Sequence, residues 1–216
     1  MFQCIIFDVD GTLIDTEISV KKSLQKVLSE ETQKEYSLTD LDFILGIPGH
    51  IALEKLGIKN IQEVNRRWNE YMNDYKNHVT VFDGIENILQ KLKKKNIKTG
   101  IVTSKTRNEL RDDFIPFDLM KYLDFYVCAD DTINHKPNPD PILKFLEISG
   151  IAADQAIYIG DTIYDYKAAN AANVKFALAL WGAKNSVGFG SSTLIEKPEN
   201  IMLDLFNEPD NISDLT

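Results

Sequence analysis

Short apolar runs alternate with helix-period segments through the later part of this chain. Ile97 to Val102, Phe125 to Ala129, Ala156 to Ile159 and Val174 to Leu180 are runs of strand length. Between them, Ile142, Phe145 and Leu146 in the segment from Pro139 to Ser149 recur at helical spacing. Ile85, Ile88, Leu89 and Leu92 do the same upstream. Lys91, Lys93, Lys94 and Lys95 follow near the end of that segment, where a helix dipole favours cations. Cys4-Ile5-Ile6-Phe7 is a further short run near the start. Strands alternating with helices predict an α/β fold, a doubly wound parallel sheet with helices on both faces.

Residues 15–80 read differently. Val20, Leu24, Val27 and Leu28 form one apolar stripe at helical spacing, and Ile61, Val64, Trp68, Tyr71 and Tyr75 form a broader, aromatic one. These aromatics read as the packing face of a small helical bundle, not as a platform for nucleobases. An all-helical block between the first strand and the rest of the sheet predicts an inserted domain over 15–80, carried on a core of 1–14 and 81–216. The end of the chain, from Gly188 through Leu194-Ile195 to Ile201–Phe206, reads as a loop, a short strand and a closing helix.

Composition narrows the function. A chain of 216 residues that is 44% apolar can bury a proper core. A net charge of −9 argues against a general binder of nucleic acid or anionic membrane, and no run is long enough to span a bilayer. The two cysteines, Cys4 and Cys128, lie in strand-like runs and read as buried, reduced thiols of a cytoplasmic protein. A monomer is compatible with all of this.

Chemistry gathers where predicted strands end. After Phe7 come Asp8-Val9-Asp10-Gly11-Thr12. Two carboxylates two residues apart in extended chain point to the same side, and such a pair makes physical sense if a cation joins them or if their roles differ. An EF-hand loop starting at Asp8 would need Gly at its sixth position and Glu at its twelfth, but Leu13 and Ser19 stand there. Thr103 and Ser104 follow the run that ends at Val102, where a hydroxyl and free amides can hold an anion. Lys136 sits in His135-Lys136-Pro137-Asn138-Pro139, a stiffened segment with Asn138 placed to cap the next helix. Asp161 follows Gly160 at another strand tip, and Asp165 lies one helical turn beyond. In a doubly wound sheet these residues converge at the carboxyl ends of the strands. Carboxylates with one lysine suit a hard metal ion and phosphoryl transfer.

With these motifs, FDVDGTLIDT, VTS, KPNPDP and GDTIYD, in this order, the chain resembles the haloacid dehalogenase superfamily over nearly its whole length. The resemblance implies a Rossmann-like core, a helical cap over 15–80, dependence on Mg²⁺ and an aspartyl-phosphate intermediate. It implies that Asp8 is the nucleophile and Asp10 the general acid and base. Mg²⁺ would be held by Asp8, Asp161 and the Asp10 backbone carbonyl. Thr103, Ser104 and Lys136 would hold the phosphate, and Asp165 would orient the metal site or Lys136. The layout is most similar to the phosphoglycolate phosphatase-like branch, whose members act on small phosphorylated metabolites. Dehalogenases of this superfamily replace the second acid, and phosphonate-cleaving members use a cap lysine. Here Asp10 is present, and the cap loop Leu45-Gly46-Ile47-Pro48-Gly49-His50 has no lysine. Sugar-phosphate mutases keep the second acid but usually carry a cap arginine, and no arginine occurs between residues 16 and 65. A mutase and a catalytically silent binding relative remain as alternatives to a hydrolase. Ile47 and His50 are the cap residues expected to select substrate.

Overall fold

The computed structural model describes residues 2–45 and 47–207. In chain order the elements are β1 (Cys4–Phe7), β2 (Ile14–Asp15), α1 (Glu17–Thr32), α2 (Gly49–Lys55), α3 (Ile61–Met72), β3 (Thr80–Val81), α4 (Ile85–Lys94) and β4 (Lys98–Val102). Then follow α5 (Arg107–Asp113), β5 (Phe125–Val127), α6 (Asp140–Ser149), β6 (Ala156–Gly160), α7 (Ile163–Ala171), β7 (Lys175–Ala179), β8 (Thr193–Ile195) and α8 (Ile201–Phe206).

Six strands form one parallel sheet in the order β5-β4-β1-β6-β7-β8. The chain builds outward from β1 to β4 and β5, then returns to the other side of β1 for β6, β7 and β8. The strand order therefore reverses beside β1, the place where open α/β sheets leave a crevice for ligands. Strand β1 is buried on both faces, which is why it reads as an unbroken apolar run. Its side chains alternate between two cores. Ile5 and Phe7 join Ile88, Leu89, Leu110 and Ile201 from α4, α5 and α8. Cys4 and Ile6 join Ile142, Phe145, Ala168 and Ala169 from α6 and α7. Burying a side chain such as Phe7 or Ile5 contributes roughly 1.5–3 kcal/mol, so β1 is fixed firmly beneath whatever its end carries.

A third core holds the helical segment together, with Leu24, Val27, Leu28, Leu53, Val64 and Trp68 at its centre. The Trp68 indole N–H donates to Val20 O at 3.2 Å and lies 3.0 Å from Ser23 Oγ, so the buried donor is satisfied. The aromatic stripe is shorter than its spacing predicts. Helix α3 ends at Met72, residues 73–78 continue as a 3₁₀ turn, and Tyr75 lies outside this core. Asn73 explains part of the break: its side chain donates to Glu70 O at 3.3 Å, a local bond that competes with helix continuation. Where the chain leaves and re-enters the sheet layer, Ile14 pairs with Val81 and Asp15 with Thr80 in a two-stranded antiparallel ribbon. Strands of two residues are too short to leave a periodic signal.

At α6 the first helical residue is Asp140, with Pro139 in the capping position. Asn138, expected as the cap, instead turns its amide back onto His135 O at 3.0 Å. Both cysteines are free and buried, and burial pushes the Cys4 thiol up to about 12 and the Cys128 thiol to about 11. The closing strand and helix stand where the sequence places them, with β8 parallel to β7 at the sheet edge.

Candidate active site

Parallel strands end on one edge, and the residues that follow β1, β4 and β6 meet there. The Asp8 amide donates to Ile159 O at 2.9 Å, extending the ladder by one residue and fixing Asp8 at the rim. The next residues fold back sharply: Leu13 N and Ile14 N both donate to Val9 O, at 2.9 and 3.0 Å. Gly11 makes this possible with φ of +79°, and a Cβ there would strike the Asp161 carboxylate. The Trp181 indole donates to Thr12 O at 2.9 Å and anchors the turn from the far side of β6.

Lys136 is the hub. Its Nζ lies 2.8 Å from Asp8 Oδ1, 2.7 Å from Asp165 Oδ1 and 3.2 Å from Tyr158 Oη, and it is 3% exposed. Asp165 is wholly buried, and its other oxygen accepts from Thr162 N at 3.0 Å and Thr162 Oγ1 at 2.5 Å in the capping box of α7. Tyr158 Oη donates to Val102 O at 2.8 Å. Asp161 accepts from Thr12 Oγ1 at 3.2 Å.

Carboxylate oxygens of Asp8, Asp161 and Asp165 all lie within 4.8 Å of one another. Burial pushes the Asp8 carboxyl up to about 7, with Lys136 pulling it down and Asp165 pushing it further up. Asp161 is driven well above the usual carboxylate range by burial and then by the charges of Asp165 and Asp8. Burial alone would lower Lys136, but Asp165 and Asp8 outweigh it and hold the ammonium charged. One buried cation among three carboxylates leaves an excess of negative charge, which a divalent cation would balance. The donor set fits such an ion: hard oxygens only, with both Asp165 oxygens already engaged, so that Asp8 and Asp161 are the side chains open to it.

Asp10 stands apart from that cluster. Lys105 Nζ lies 3.2 Å from Asp10 Oδ1 and 2.9 Å from Asp113 Oδ2. The former is an ion-pair contact, and Asp10 Oδ1 is buried without a hydrogen bond. Burial works against the Lys105 charge, but Asp10 and Asp113 keep it well above the ordinary lysine value. The Ser104 hydroxyl is also buried and unpartnered, and it lines the cavity. Thr103 lies behind it: its hydroxyl accepts from the Lys105 amide at 3.1 Å, and it is not among the lining residues.

That cavity, about 780 Å³, lies between the strand ends and the helical segment. His50 and Ile47 both line it, though Ile47 also belongs to the helical core and is 7% exposed. Gly46 lies outside the described residues. The His50 ring packs edge-on against His135, with centroids 6.2 Å apart, and Asn69 of α3 donates to Glu109 of α5 at 2.6 Å. These contacts join the helical segment to the sheet layer.

Several residues at the site carry no signal in the sequence. Tyr158 is an aromatic inside an apolar strand and reads as core. Lys105 directly follows the Thr103-Ser104 pair, which was its only cue. Arg66 lies one residue past the span that holds no arginine, and it lines the cavity with its guanidinium engaged by Glu63 and Glu70.

Residues 5–179 match the family model described as haloacid dehalogenase-like hydrolase. A phosphoglycolate phosphatase of Aquifex aeolicus is 32% identical over 186 residues, 82% of this chain and 84% of that protein. A pyrophosphatase PpaX of Bacillus cereus is 28% identical over 181 residues, 83% of this chain and 84% of that one. Among solved structures, a Lactobacillus plantarum protein provisionally named a phosphoglycolate phosphatase superposes with a TM-score of 0.87 at 29% identity, covering 94% of this chain and 98% of that one. A Thermotoga maritima protein provisionally named a beta-phosphoglucomutase gives 0.75 at 26% identity, over 95% and 99%. The chain therefore belongs to the haloacid dehalogenase-like hydrolase family and is a phosphatase-type enzyme of it.

Proposed function

We propose that this protein is a cytoplasmic, Mg²⁺-dependent phosphohydrolase that frees phosphate from a small phosphorylated metabolite through an aspartyl-phosphate on Asp8. The observation that carries it is Lys136, buried and shared at 2.8 and 2.7 Å by Asp8 and Asp165, with Asp161 alongside. In this reading residues 15–80 form a cap over a core of 1–14 and 81–216. The loop with Ile47 and His50 faces the leaving group.

Each residue then has a task. Lys136 holds Asp8 through Oδ1 and adds positive charge where phosphate oxygens would lie. Ser104, with its hydroxyl unpartnered, binds a phosphate oxygen, and Thr103 supports the turn that presents it. Asp8 attacks phosphorus while the bond to the leaving oxygen breaks, and Asp10 gives that oxygen its proton. Asp10 then takes a proton from water as the water attacks the acyl-phosphate, which releases phosphate, restores the Asp8 carboxylate and returns Asp10 to its protonated form. Held by Asp8, Asp161 and the Asp10 carbonyl, Mg²⁺ would neutralise charge on the phosphoryl group.

The decisive experiment is phosphate release from p-nitrophenyl phosphate with Mg²⁺ and with a chelator. Release that needs Mg²⁺ is expected; none in either condition would sink the phosphohydrolase, and undiminished release in chelator would sink the metal. Asp10→Asn should still give one equivalent of nitrophenol, whose loss needs little protonation, and then stall as the acyl-phosphate persists. Unimpaired steady-state turnover would assign Asp10 another role.

The same electrostatics predict a pH dependence. An unfolded aspartate loses its proton near pH 4, but folded Asp8 keeps it to about 7. Between those values the folded state binds more protons, so without cation stability falls as pH rises. A cation must displace that proton, so Mg²⁺ should raise the melting temperature more at about pH 8 than at about pH 5. An equal shift at both would show that Asp8 is not among its ligands.

Arg66 on the cavity wall favours a second reading, a phosphate mutase. A mutase moves phosphate within its substrate and releases none on net turnover, so the release assay separates the two.

A further inference from the structure

Beyond the cluster of Asp8, Asp161 and Asp165, the polar lining of the cavity has a consistent chemistry that bears on the substrate. Its cations are Arg66, Lys105 and Lys184, and each is already engaged: Arg66 by Glu63 and Glu70, Lys105 by Asp10 and Asp113, Lys184 by Glu17. Carboxylates outnumber cations on this wall, with Asp15, Glu70 and Asp112 among them. A leaving group bearing its own carboxylate or phosphate would have to break an ion pair or face these acids.

Neutral polar groups share the wall with them. Asn65, Asn69 and Asn73 recur every four residues along α3 and its extension, and all three line the cavity, with Asn108 of α5 also on its wall. Asn69 donates to Glu109, Asn73 donates to Glu70 O and Asn108 accepts from Arg111, while the Asn65 carboxamide has no hydrogen-bond partner among the described residues. Asn65 is held in place by close packing: its Oδ1 occupies the space where a Cβ on Gly49 would go. The His135 Nδ1 is buried and unpartnered, and the His50 ring lies beside it. A carboxamide offers a donor and an acceptor together, as a hydroxyl does, so the unpartnered Asn65 suits a leaving group with hydroxyls.

We infer that the natural substrate is the phosphate monoester of a neutral polyhydroxylated alcohol, a sugar or polyol, and that Asn65 is the residue that reads its hydroxyls. This rests on the phosphohydrolase reading above and deepens it. It sets the chain apart from turnover of 2-phosphoglycolate or pyrophosphate, whose leaving groups are anions.

The test compares esters matched in size. The full-length protein with Mg²⁺ is assayed on glycerol 3-phosphate against 3-phosphoglycerate, which share a carbon skeleton, and then on ribose 5-phosphate, glucose 6-phosphate, 2-phosphoglycolate and pyrophosphate. Neutral leaving groups are expected to give kcat/KM at least about tenfold above their anionic counterparts. Equal values, or preference for 3-phosphoglycerate, 2-phosphoglycolate or pyrophosphate, overturn the inference while turnover of p-nitrophenyl phosphate keeps the phosphohydrolase standing. No turnover of p-nitrophenyl phosphate either would fell both. Asn65→Lys adds a cation with no acid assigned to it and should shift the ratio several-fold toward the anionic esters. An unchanged ratio in that variant overturns the role of Asn65, and the comparison in the unaltered protein decides the substrate class even if the variant does not fold.

Discussion

Asp8→Asn is expected to reduce turnover of p-nitrophenyl phosphate by on the order of 10⁴ or more while the protein melts at or above its original temperature without Mg²⁺. The two halves of this result have one origin. Asp8 is 3% exposed and lies among Asp161, Asp165 and a single lysine, so its charge is held at a cost that burial sets. An amide of the same shape removes one of the mutually repelling charges and leaves Lys136 paired with Asp165 at 2.7 Å. It also removes the oxygen nucleophile, for which no neighbouring carboxylate can substitute. Asp165 has both oxygens engaged, and Asp10 is drawn aside toward Lys105. Mg²⁺ should stabilise the variant less than the original protein, because one of its anionic ligands is gone. Turnover within about tenfold of the original would refute Asp8 as the nucleophile.

What the sequence discloses and what it hides follow from how each feature is encoded. Cys4–Phe7 reveals β1 because a strand covered on both faces admits nothing polar, so the first acids after it mark the strand end. Asp8, Lys136, Asp161 and Asp165 are legible because each stands beside local punctuation: Gly11, the prolines at 137 and 139, Gly160, and the Thr162 cap. The ribbon that joins Ile14 to Val81 is invisible, since two-residue strands carry no period. Tyr158 is hidden for the opposite reason: its ring serves the core while its hydroxyl reaches Lys136, and composition records the ring. The bond from Asn69 to Glu109 joins residues 40 apart on separate elements, and no spacing rule relates them. Thr103 and Ser104 show the limit of a motif. Both follow the last residue of β4, and Ser104 lines the cavity with its hydroxyl unpartnered while the Thr103 hydroxyl accepts from the Lys105 amide at 3.1 Å.

Lys136→Met should damage both stability and turnover, and the two can be pulled apart. Removing the ammonium leaves Asp8 and Asp165 buried without their shared partner, a loss of roughly 3–5 kcal/mol for a broken buried pair. Arginine is no conservative replacement, because the planar guanidinium does not fit a site built for a point charge 2.7–2.8 Å from two carboxylates. Adding Asp165→Asn to Lys136→Met removes one of the stranded charges. The new amide can still accept from Thr162 N, and its nitrogen can donate to Tyr158 Oη, which lies 3.2 Å from the present carboxylate. The double variant should therefore regain much of the lost melting temperature. It should not regain turnover, because Asp8 would be unanchored and the ammonium that Lys136 holds 2.8 Å from it would be gone. Melting curves and p-nitrophenyl phosphate turnover on the same preparations test this. If turnover returned along with stability, Lys136 would serve only to balance buried charge, and its place at the phosphate would have to be given up.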